Sequence, residues 1–144
     1  MDKSLNKVEQ ISLKKDSSLK NATNNYYYKD NLMDIKLALT EKGKKNIHFV
    51  LELNHKLGNE SISGAAKLIE IEDESGMLII PEGTAVLDKL TKEEYLCDSS
   101  FMYESNKITI SFGLERKTAN RLSLNLYNSS IDWLKDDDFT LVKR

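Results

Sequence analysis

The chain has 144 residues, of which 40% are apolar and 31% charged, with a formal net charge of -2. That is the size of one domain with a core of its own, and the near-neutral balance excludes a chain built throughout to hold a polyanion. The lone cysteine, Cys97, excludes an intrachain disulfide, and no early apolar run resembles a signal sequence or reaches the length of a membrane span.

As written, the chain is expected to stay where it is made, in the cytoplasm. Charge is uneven along it. Residues 1–45 hold ten Lys against six Asp and Glu, while residues 46–144 hold eleven Lys and Arg against seventeen, so a mildly basic front precedes an acidic body.

Residues 1–31 show no sustained periodicity and read as a mobile or weakly structured N-terminal arm. Residues 32–144 read as the β domain. The arm ends in Tyr26, Tyr27, Tyr28 and Lys29. Three consecutive tyrosines in an extended chain point to alternate sides, so a core can take Tyr26 and Tyr28, or Tyr27, but not easily all three. Tyrosine offers a large rigid contact area at low entropic cost, which makes these four residues the candidate partner-binding site. The alternative is that one or two of the tyrosines lead into the first strand and cover the edge of the core.

Met33, Ile35, Leu37 and Leu39 alternate with polar neighbours, and Ile47, Phe49, Leu51 and Leu53 repeat the pattern after a lysine-rich turn around Gly43. These read as an antiparallel hairpin. Asn54 to Ser61 reads as a turn. Ile62 to Glu72 carries apolar residues on both parities, which suggests a strand covered on both sides or a bulge near Gly64. Met77-Leu78-Ile79-Ile80 is the most apolar run and is expected as a central strand ended by Pro81. Thr84 to Leu90 reads as a short strand or connector. Thr91-Lys92-Glu93-Glu94 matches a capping box, so a short helix is expected there.

The clearest pattern lies between Lys107 and Asn128. Ile108, Ile110, Phe112 and Leu114 alternate with small or polar residues, and so do Leu122, Leu124 and Leu126. A three-residue loop ending at Asn120 would set Leu114 opposite Leu124 and Phe112 opposite Leu126, with one face on the core and one in water. Ser130 is expected to cap a second short helix carrying Ile131, Trp133 and Leu134, and Phe139 to Val142 reads as the last strand.

Little in the sequence signals chemistry. His48 and His55 are seven apart and would leave opposite faces of one strand, which makes a poor ligand pair. Asp136-Asp137-Asp138 lacks the spaced ligands of a calcium loop. Cys97 has no histidine near it in sequence, and nucleotide-binding and nucleophile-elbow motifs are absent. No catalytic residue, metal or cofactor is therefore assigned.

About eight short strands with two short helices give a mainly β, single-domain antiparallel barrel or sandwich. A hairpin meander followed by a short helix and a last strand resembles lipocalin-type barrels in architecture alone. The function expected is non-enzymatic, by binding another macromolecule as an inhibitor, immunity protein, adaptor or assembly component. A protein partner is expected rather than nucleic acid. The alternative is a lipocalin-like carrier with a small apolar ligand inside the barrel.

Overall fold

The computed structural model of the protein describes residues 22–81 and 83–144. Its strands are β1 (Thr23–Lys29), β2 (Met33–Glu41), β3 (Asn46–His55), β4 (Gly58–Leu68), β5 (Ile71–Glu72) and β6 (Leu78–Ile79). They continue as β7 (Thr84–Leu87), β8 (Glu94–Glu104), β9 (Thr109–Glu115), β10 (Arg121–Tyr127) and β11 (Asp137–Lys143). The main sheet runs β9-β10-β11-β1-β2-β3-β4-β8, all antiparallel, and a β8–β9 pairing closes it into an eight-stranded barrel. β7 adds to β8 outside the closed ring, and β5 and β6 form a separate two-stranded hairpin.

Period-two alternation places the core inside. Ile35, Leu37, Phe49, Leu51, Phe112, Leu122 and Leu124 are all at 0–1% exposure, and they fill the barrel with the chain's own side chains. Closing an eight-stranded sheet leaves an interior of about this side-chain capacity. The β2–β3 hairpin pairs Leu37 with Leu51 and Leu39 with Phe49, as the alternation requires.

The β domain begins earlier than the sequence suggested. β1 lies in the stretch assigned to the arm, hydrogen-bonded to β2 and β11, and Tyr26 is in the core at 2% exposure. Its polar neighbours Asn24 and Asn25 hide the alternation. The rest of the arm, residues 1–21, lies outside the described residues.

The β9–β10 hairpin forms, but its register is shifted by two. Phe112 pairs with Leu124, Ile110 with Leu126 and Leu114 with Leu122. The loop is longer, because Lys117 and Ala119 take the positive φ values (74° and 52°) and not Asn120. A shift of two keeps every side chain on its face, so the core is unchanged. The far face of this hairpin meets water only in part: Thr109, Ser111, Gly113 and Ser123 are buried, while Asn125 and Tyr127 are half-buried. Val86 of β7 borders Ser123, and Cys97 in the first half of β8 lies against Gly113. There Tyr95 Oη and Thr140 Oγ1 lie 2.8 Å apart, and the Cys97 thiol donates to the Gly113 carbonyl. A Cβ at Gly113 would stand 3.1 Å from the Cys97 Cβ, so a side chain there would crowd this second layer.

Neither expected helix forms among the described residues. Asp88 takes over the proposed capping box. Its carboxylate accepts from the Leu90 and Thr91 N–H groups and its carbonyl from Lys92 N–H, closing a turn with Lys92 at φ 66° between β7 and β8. After β10 a single turn, closed by Leu134 N–H to the Ile131 carbonyl, buries Ile131 and Leu134. Trp133 follows them over one barrel end and stacks on His55 with ring centroids 4.8 Å apart. Two shorter elements also differ. β3 and β4 meet across a two-residue turn, Lys56-Leu57, and the mixed parity after Ile62 arises because the chain leaves the barrel beyond Leu68.

The largest departure is Met77–Ile80, which forms no central strand. The Asp73 carboxylate accepts from Ser75 N–H and Met77 N–H, and Gly76 adopts φ 86°. That turn and Pro81 are only four residues apart, which leaves room for a short ribbon and not for a barrel strand.

Leu124 is at 0% exposure on the central pair of the core. Leu124→Ala should therefore lower the unfolding free energy by about 2–5 kcal/mol in a denaturant titration. A change below about half a kilocalorie would place the side chain outside a rigid core.

Candidate functional site

β1 divides the tyrosine segment by parity. Tyr26 points inward and its hydroxyl donates to the Ala119 carbonyl at 2.9 Å. Tyr28 also points inward, at the margin of the core, edge-on to Phe139 at 5.1 Å. Tyr27 points outward and half-buried, with the Arg144 guanidinium 5.5 Å from its ring centroid. Lys29 is exposed. The segment is thus divided between core and surface.

The Tyr28 hydroxyl donates to Asp30 at 2.6 Å. Burial first, then the Asp30 hydrogen bond and charge, push the Tyr28 phenol up to about 12. The same hydrogen bond holds the Asp30 carboxyl below its ordinary range.

Two recesses open at the barrel ends. One, of about 260 Å³, is lined by Tyr26, Leu39, Ile47, Phe101 and Leu114, with Lys44 and Lys143 at its rim. The other, about 370 Å³ and wider, lies beside Met33, His55, Trp133, Leu134 and Phe139. Burial raises the Cys97 thiol, an inert setting for a nucleophile. His48 and His55 leave β3 on opposite faces, and no group of three or more His, Cys, Asp or Glu side chains converges among the described residues.

The feature that breaks ordinary surface rules lies between residues 70 and 98. Eleven large apolar side chains are exposed among the described residues, and eight belong here: Ile71, Met77, Leu78, Ile79, Ile80, Leu87, Leu90 and Leu96. They are 41–67% exposed. Scattered exposed leucines are ordinary, but a concentration in one segment is characteristic of an interaction surface. The fold explains how they come to be outside. β7 and the first half of β8 turn Val86, Tyr95 and Cys97 down onto β9 and β10, so Ala85, Leu87 and Leu96 must face away. The β5–β6 hairpin carries the remaining cluster.

The same segment is acidic. From Glu70 to Asp98 there are nine Asp and Glu against two Lys, a balance of -7 in a chain whose total is -2. Arg121 anchors the layer from below. Its guanidinium is 4.7 Å from the Tyr95 ring centroid, 2.8 Å from Glu115 and 3.2 Å from Glu93. Burial pushes the Glu115 carboxyl up, but hydrogen bonds from Arg121 and Thr118 outweigh it and leave the carboxyl below its usual range. Tyr28 joins the two features, since it lines a small recess of about 50 Å³ with Leu87 and Leu90.

The sequence pattern singles out the tyrosines and not this segment. The charge count from Glu70 to Asp98 and the unalternating apolar run between Gly76 and Pro81 were the available signals. No helix among the described residues is long and apolar enough to cross a membrane. Comparison with protein families, with curated proteins and with solved structures finds no match for this chain.

The Tyr28 phenol should titrate about pH 12 in the folded protein. Its raised value means that its contribution to stability is complete below about pH 10 and is lost as pH rises from about 10 to about 12. Absorbance titration at 295 nm of wild type against Tyr28→Phe should show one phenol missing from the highest transition. A missing phenol near pH 10 would show Tyr28 to be solvated and unpaired.

Proposed function

We propose that this protein works without chemistry of its own, by binding another protein through the apolar, acidic surface of residues 70–98. One observation carries the reading: most of the exposed large apolar side chains are gathered on a ribbon and hairpin outside a barrel whose interior is already filled. A rigid closed barrel is a suitable scaffold for such a surface, since binding then costs little ordering of the scaffold. Inhibitor, immunity, adaptor and assembly roles all fit this description. Of the tyrosine segment, Tyr27 and Lys29 are left as outer contacts and Tyr28 as the border of the same surface, while Tyr26 serves the core.

A second reading rests on the apolar recess beside Leu39, Ile47 and Phe101. A small ligand with an apolar body would sit in that mouth, because the interior is taken by Phe49, Phe112 and their neighbours. The protein would then be a carrier of the lipocalin-like kind.

Affinity capture from the source cell separates the two. Wild type should retain a stoichiometric protein that the double variant Leu78→Ser, Ile80→Ser loses, with both forms melting at the same temperature. Loss of at least about tenfold in affinity is expected if these residues sit near an interface centre. Equal capture by both forms, or a small molecule retained in the native mass spectrum of wild type, would overturn the partner reading.

A further inference from the structure

From the charge and apolar pattern of residues 70–98 we infer the chemistry of the partner: a cationic amphipathic polypeptide segment of a different protein, with Lys or Arg flanking apolar residues. This inference rests on the function proposed above and adds to it the partner class.

Three occupants are conceivable for an exposed apolar face, and charge discriminates between them. An anionic bilayer or a nucleic acid would meet Glu72, Asp73 and Glu74, exposed beside Ile71 and Leu78, while Glu70, Glu93 and Asp98 of the same segment are already paired with Lys45, Arg121 and Arg116. Like charges at that range repel, and recognition of either polyanion rests on Lys and Arg. A second copy docking the same face against itself would double the repulsion in a closed two-fold interface. A cationic segment alone meets both properties, its apolar side chains covering Met77 to Ile80 and its charges facing the acidic flank.

The backbone adds a second recognition element. β7 is bonded to β8 on one side and to no described strand on the other. An extended segment can add there as a further strand, its main chain pairing with β7 while alternate side chains lie beside Ala85 and Leu87. The recess between Leu87, Leu90 and Tyr28 lies at the end of that edge and offers a pocket for one side chain.

The probe is a fluorescent, synthetic fourteen-residue amphipathic Leu/Lys peptide, titrated with the full chain and read by anisotropy. It should bind, and the affinity should fall steeply as salt is raised. Leu78→Ser with Ile80→Ser should weaken binding at least about tenfold, and so should Glu72→Lys with Glu74→Lys. Asp34→Lys on β2, diametrically across the barrel from β9, should change it by less than about twofold, since an isolated exposed charge is worth little.

Equal loss with Asp34→Lys would show general attraction to an acidic protein and overturn the inference. So would absence of binding, equal binding of a Leu/Glu peptide, or binding of vesicles containing phosphatidylglycerol that the Leu78 and Ile80 variant abolishes. Self-association in sedimentation velocity that the same variant abolishes would assign the face to a second copy. If the cell capture yields a protein held through Leu78 and Ile80 by a neutral or acidic contact, the partner class fails and the proposed function stands. If nothing is held through those residues, both fail.

Discussion

β8 belongs to two layers at once, and the rest of the molecule follows from that constraint. Its second half, from Ser100 to Glu104, pairs with β9, and Phe101 and Met102 also pair with β4, which closes the barrel. Its first half pairs with β7, meets the end of β9 at Glu115, and turns Tyr95 and Cys97 toward Thr140, Arg121 and Gly113. The register slips between Gly113 and Glu115, where the strand changes layer. Bulges of this kind bend a strand and re-aim its side chains. Gly113 lies where the upper layer comes down, and a Cβ there would stand 3.1 Å from the Cys97 Cβ. Once this layer is in place, the outer face of the ribbon has nothing left in the chain's described residues to cover it.

That leftover face is the proposed binding surface. A designed or purely structural outer layer would carry polar residues at Leu87, Leu90 and Leu96, since solvation of leucine brings no stability and invites association. The chain neighbours of these leucines are instead charges of both signs, with Lys89, Lys92 and Glu94 exposed and Glu93 paired with Arg121. On β1 and β2 the outer face is mixed: Lys29 stands opposite Asp34, Lys36 opposite Glu52, and the Arg144 guanidinium lies over Tyr27.

The core was legible in the sequence because alternation is a strong signal when each strand buries one face. Met33 to Leu39, Ile47 to Leu53 and Leu122 to Leu126 all face inward as the period of two dictates. What escaped was what alternation does not encode. A register shift by two leaves the pattern intact, so only the loop backbone at Lys117 and Ala119 decides it. Thr91 and Glu94 have the spacing of a helix start, yet Asp88 offers the nearer carboxylate and wins the competition for the turn's N–H groups. The cover over Gly113 and Ser123 is supplied from residues 84–97, a tertiary event with no local signature. Met77–Ile80 was visible as apolar, but apolarity alone does not distinguish a strand inside a barrel from a short exposed ribbon outside it. The tyrosines were correctly singled out as unable to share one face, and Tyr26 and Tyr28 took the inner side.

The central claim is that partner binding is delivered to residues 70–98 and leaves the barrel unaltered. Hydrogen exchange of the full chain, alone and in its captured complex, tests it most directly. The account predicts slow exchange throughout β2, β3, β9 and β10 in both states, with new protection in β5, β6 and β7 on binding. New protection confined to the barrel mouth beside Leu39 and Phe101, or to the β1 tyrosines, with β5 to β7 unchanged, would contradict it.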